Sequence, residues 1–131
     1  MKDLNDLQQV VRMKFEREQQ VLAELLSKEA ALRVELLRLD SLNAQAKVDT
    51  DETLRAIGAD MIWDGWVGRA RSQLNMKLAR ILANKAHHQD KVRQVYGKVL
   101  VVEGLIKQAK NQKNQRMSKQ ELSRAIDGSI Y

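Results

Sequence analysis

Few side chains in this sequence have reactive potential. His87 and His88 are its two imidazoles, and there is no cysteine beside them. A metal bound to one helical face needs ligands about one turn apart, and neither histidine has a His, Asp or Glu four residues further on. Asp60 and Asp64 do have that spacing. An N-cap and a solvated first-turn acid account for them, because carboxylates satisfy free N–H groups and face the positive end of the helix dipole. Gly65-Trp66-Val67-Gly68 lacks the Walker pattern, and no strand precedes it to present a phosphate loop. No Ser, His and acid fall into a nucleophilic arrangement, and a rod of two helices offers no water-excluding pocket. The residues therefore predict a non-enzymatic protein with no cofactor and no metal.

The elements that carry these residues are helices. The 131 residues include no proline, one Phe, two Tyr and two Trp. Leu, Ala, Lys, Arg, Glu and Gln dominate, and these are the strong helix formers, so the expected class is all-α. The absence of cysteine excludes a disulfide framework and fits a reducing, cytoplasmic location. Residues 1–6 contain no apolar signal core, and the longest unbroken apolar run is Val99 to Val102. Neither a signal peptide nor a membrane span is expected.

The net charge of +6 is unevenly shared. Residues 1–58 carry nine Lys/Arg against eleven Asp/Glu, a net −2, whereas residues 59–131 carry fourteen against six, a net +8. Opposite signs favour the two halves lying side by side, although each exposed pair contributes only about 0–1 kcal/mol. The positive charges alternate with acids and have no stacking aromatics among them, so nucleic acid is not the expected partner.

Helix one is predicted over residues 2–57. Its seam reads Leu4, Val11, Phe15, Glu18, Leu22, Leu25, Glu29, Leu32, Leu36, Leu39, Asn43, Ala46, with nine of the twelve apolar. A repeat sustained over about six heptads indicates a coiled coil. Leu7, Val21, Leu26 and Leu42 widen the stripe. Caps at Asp49 with Glu52, or at Thr50 with Thr53, offer a second helix start near residue 49, but nothing nearby forces a turn.

Helix two is predicted over residues 60–113, with the seam Val67, Arg71, Leu74, Leu78, Ile81, Lys85, His88, Val92, Val95, Val99, Val102, Ile106, Ala109. Between the two, Gly58 can supply a left-handed residue that ends one helix, and Asp60 can cap the next. If the chain folds back there, facing residues have numbers totalling a constant. The two seams meet this condition at 113 or 114 throughout, pairing 11 with 102, 15 with 99, 25 with 88, 32 with 81 and 39 with 74. The fold expected is a long antiparallel two-helix coiled-coil hairpin, each arm about 80 Å long at 1.5 Å per residue. The same register sets Glu29 opposite Lys85, a polar layer expected to fix alignment more than to add stability.

Beyond residue 113 a polar tail is expected. Asn111 to Arg116 has no periodicity and reads as fraying helix or linker. Ser118 with Glu121 makes a capping box for a short helix over 119–126, with Gly128 as its stop.

Two surfaces are candidate partner sites. At the tip, Trp63 and Trp66, with Met61 and Ile62, have too few neighbours in one hairpin; either one Trp closes the seam or the pair meets a partner. Towards the open end, Leu100 and Val101 make helix two apolar all round, near Tyr96, and Gly97 and Gly104 face away from helix one. Glycine costs about 1 kcal/mol inside a helix, so its backbone is available there for close approach. That face is covered by the C-terminal segment, by a second copy, or by another protein.

Trp63-Asp64-Gly65-Trp66, then Arg69 to Arg80 with Leu74-Asn75 and Leu78-Ala79-Arg80, then Tyr96-Gly97-Lys98, is similar to a W…R…LN…LAR…FG(R/K) pattern. A basic, cysteine-free antiparallel coiled coil of this length carrying that pattern resembles the FliJ family of flagellar type III export proteins and its YscO-like relatives. The pattern spans about 35 residues. The resemblance implies a stalk with its terminal end, including the Gly97 to Ile106 region, inside an export ATPase ring and its Trp-bearing tip towards the export gate. It also implies substrate chaperones as further partners and a place at the base of the export apparatus. No individual binding residue follows from it. The alternative is a generic homodimeric coiled-coil scaffold or adaptor; a basic helical protein that coats nucleic acid or anionic membrane ranks third.

Overall fold

In a computed structural model the chain is described over residues 2–49, 53 and 58–130. It is an all-α hairpin of two helices packed against each other, α1 (Lys2–Asp49) and α2 (Ala59–Ile130). The expected helix over residues 50–57 and the caps weighed there lie outside the described residues, apart from Thr53 and the last residue of α1, Asp49. Among the described residues no helix is long and apolar enough to cross a membrane.

The chain divides into two compact units, Met1–Gln19 with Lys91–Tyr131, and Gln20–Asp90. In the first, Val11, Val99, Val102 and Ile106 form a buried cluster with Leu4 and Phe15 packed on it. The phenyl ring of Phe15 lies 5.3 Å from that of Tyr96, tilted by 37°. Arg12 Nη2 donates to Glu103 Oε1 at 2.5 Å across the same helix pair. In the second unit Leu25, Leu39 and Val67 are the buried side chains. Lys85 Nζ donates to both Glu29 oxygens at 3.0 and 3.4 Å, and Arg71 donates to Asp40 Oδ1. Within each unit these pairings run antiparallel, and the Glu29–Lys85 layer stands where the heptad arithmetic puts it.

Burial follows the seam closely. Every described residue of α1 that is not exposed is one of the predicted seam positions, except Gln8 and Val21. Leu7, Leu26 and Leu42, expected to widen the stripe, are exposed. A pair of helices covers only the narrow face between them, so flanking leucines meet no third element. On α2 every seam position except Arg71 is at least partly covered, and several residues beside the seam, among them Trp63, Ala70, Gln89, Lys91 and Glu103, are partly covered too; Arg71 is exposed, with its guanidinium on Asp40. A long aliphatic stem lets an arginine at a seam position carry its charge out to a surface acid.

Gly58 has φ +81°, the left-handed conformation expected of it. Its role differs in detail from the prediction. The Gly58 carbonyl accepts from Ile62 N at 3.3 Å, so Gly58 itself is the N-cap of α2, and Asp60 lies within the first turn. Asp60 thus faces the helix dipole from inside the first turn instead of preceding it. Nothing lies within 4 Å of where a Cβ would stand. Gly58→Ala is therefore expected to cost about 1–2 kcal/mol through backbone conformation alone, measured as a shift in urea midpoint at unchanged slope.

The C-terminal end departs from expectation. α2 does not stop near Lys113 but continues to Ile130, through the stretch read as a polar tail. Lys, Gln, Arg, Met, Glu and Ala all favour helix, no proline interrupts them, and lack of periodicity removes a packing face without removing propensity. The capping box at Ser118 is accordingly not used as a helix start, because the preceding turn is already helical. From Lys110 to Ser129 every residue is exposed, so this part of α2 extends beyond the cover of α1.

Candidate functional site

Among the described residues, the grooves beside Trp66, Ile81 and Tyr96 run along the helix pairs and are open to solvent. His87 and His88 stack edge to face at 5.3 Å, and among the described residues no group of three His, Cys, Asp or Glu could hold a metal ion.

At the start of α2, the helical spacing of Trp63 and Trp66 puts their rings on neighbouring turns, with centroids 5.2 Å apart and planes at 31°. The two indoles differ in role. Trp63 is half-buried and its Nε1 donates to Asn43 Oδ1 at 3.0 Å, which joins α2 to a polar position in the α1 seam. Trp66 is 47% exposed and borders a groove with Leu39, Leu42 and Leu74. Met61 and Ile62 beside them are more exposed still. Trp63 is thus the seam-closing residue, whereas Trp66 stays exposed at the surface. The Asn43 partner is not legible from sequence, since a polar seam residue only shows that some partner is needed.

In the other unit, Leu100 and Val101 are 51% and 63% exposed. Gly97 and Gly104 have nothing within 4 Å of a built Cβ, so no contact within the chain requires glycine at either position. Tyr96 differs from these four: it is partly occupied by Phe15 and borders a groove shared with Arg12, Glu16 and Gln19. The C-terminal stretch of α2 continues away along the helix and does not fold back over Leu100 or Val101, which removes that explanation for the apolar face. On α1 in the same unit, Val10 and Met13 are exposed as well.

Sequence reasoning missed a set of cations beside the second unit's seam: Lys28, Arg38, Lys77 and Arg80. Their common sign at positions flanking the seam was the available signal. No protein-family model, curated protein or solved structure matches this chain.

Proposed function

We propose that this chain is a non-enzymatic coupling stalk of a flagellar type III export apparatus, of the FliJ type, that acts by binding an export ATPase ring and an export gate. The observation that carries the reading is the uncovered face of Leu100 and Val101 with open glycine backbone at Gly97 and Gly104. An apolar face on a basic helix, without cover from its own chain, fits a helical shaft that a ring of subunits encloses. Such a protein does no bond chemistry. It biases its partners through different contacts with their different states, and its effect is bounded by that difference in affinity. The exposed Trp66 is the counterpart at the tip, an aromatic anchor of the kind that dominates protein interfaces. Substrate chaperones are further partners on this reading, and its place is the base of the export apparatus.

Binding of the purified chain to the hexameric export ATPase tests this. Leu100→Glu with Val101→Glu is expected to weaken that binding by more than about tenfold, because two charges enter an apolar interface core. Helix content should be unchanged, as both side chains are exposed. A chain that ignores the ATPase but forms a stable dimer over Leu100 and Val101 would replace this reading with the homodimeric scaffold.

A further inference from the structure

The hairpin unit Gln20–Asp90 has two unlike sides. On one, the cations are engaged: Lys85 and Arg33 with Glu29, and Arg71 with Asp40. On the other, two adjoining grooves share Lys77 and follow the helix pair from Lys28 to Leu42 on α1 and from Trp66 to Ile81 on α2. Their floor is apolar, made by Leu32, Leu39, Leu74 and Ile81 with Trp66 at one end. Four cations line them, Lys28, Arg38, Lys77 and Arg80, against one carboxylate, Glu35. Among the described residues none of these four cations makes an ion pair or side-chain hydrogen bond. On one side of this hairpin three cations are thus engaged with two carboxylates, and on the other four unpaired cations face one carboxylate around an apolar groove.

We infer that this groove is a docking site for an acidic amphipathic helix of another protein. The residues from 28 to 42 span about 20 Å along a helix, or four turns, and a third helix laid between two others buries an apolar stripe against such a floor. In helical packing of this kind the flanking charges choose the partner, and a rim of Lys and Arg selects Glu and Asp. A second copy of this chain fits poorly in a symmetric pairing, which would set the same four cations against themselves. The inference stands on the groove and its charges and does not depend on the export reading.

The test uses the full chain and fluorescein-labelled helical peptides of about 21 residues, each with a Leu/Ala seam and either Glu or Lys at every flanking position. The Glu peptide is expected to bind at least about tenfold more tightly than the Lys peptide, and to protect amides of 28–42 and 66–81 from hydrogen exchange. Reversing the groove with Lys28→Glu, Lys77→Glu and Arg80→Glu should invert the preference. Reversing three exposed cations elsewhere with Lys110→Glu, Lys113→Glu and Arg116→Glu should leave it intact, and both triple variants should keep the parent helix content. Equal loss from both sets of reversals would show diffuse electrostatics and overturn the proposal, as would absence of Glu-peptide binding at about 1 mM. Groove reversal that abolishes binding to a DNA oligonucleotide or to phosphatidylserine vesicles, with no peptide preference, would assign the cations to another ligand and overturn it too.

Discussion

Val102→Asp is expected to unzip the helix pair of the first unit, freeing residues 2–19 from α2. Val102 is 5% exposed and shares its cluster with Val11, Val99 and Ile106, the whole buried core of that unit among the described residues. Arg12, across the helix pair, is already engaged by Glu103 at the surface, so a carboxylate at 102 would have to compete for it or lie unpaired in the apolar cluster. Burying an unpaired charge costs several kcal/mol even after relaxation, and about 3–4 kcal/mol is expected here. With so few side chains sharing the core, the chain escapes by local opening more readily than by rearranging. Amide exchange should show protection lost across residues 2–19 while Gln20–Asp90, with their own core, keep theirs. Leu100→Asp, two residues earlier but 51% exposed, should do almost nothing to stability. Equal destabilisation by the two would mean that the seam has been misplaced.

Lys85→Leu alone is expected to destabilise the second unit by about 2 kcal/mol, and Glu29→Leu added to it is expected to restore most of that loss. The side chains of Glu29 and Lys85 are 13% and 24% exposed, so either one left alone keeps a poorly solvated charge. Arg33, 3.8 Å from Glu29 Oε1, softens the loss of Lys85 but lies too far for a strong hydrogen bond. The double leucine variant removes both charges and adds apolar contact, which is why stability returns. Alignment is what it should lose. A slip of one heptad in the native chain sets Glu29 against Leu78 and Lys85 against Leu22, two unpaired charges in an aliphatic seam. With leucine at both sites that penalty vanishes, and heptad-shifted pairing is expected to become detectable. A double variant that keeps a single alignment would show that the polar layer does not specify register.

The seam was legible because two helices in contact impose one period on both, and burial repeats it almost residue by residue on α1 and at every seam position of α2 but Arg71. Three kinds of feature escaped that logic. Leu7, Leu26 and Leu42 are apolar without being covered, since hydrophobicity states what a residue prefers and not how many elements are present to cover it. The continuation of α2 from Lys113 to Ile130 is a matter of backbone propensity, and a period-based reading is blind to a helix with no buried face. Arg71 and Trp63 depend on where a long side chain ends: one reaches out to Asp40, the other to Asn43. Of the candidate site, the outward position of Leu100, Val101 and Gly104 could be read from the heptad directly. The division of labour between Trp63 and Trp66, and the unpaired cations around Leu32 and Leu39, needed distances.

All of this depends on α1 and α2 pairing within one chain in a single alignment. The native sequence has no cysteine, so an introduced pair reports on that alignment without interference. Leu32→Cys with Ile81→Cys, two positions that border the same groove, should oxidise readily to an intramolecular disulfide at the mass of one chain. Leu32→Cys with Leu74→Cys, one heptad out of register, should not. Equal bridging in both variants, or bridging of Leu32→Cys and Ile81→Cys only between separate chains, would contradict the hairpin and the surfaces it positions.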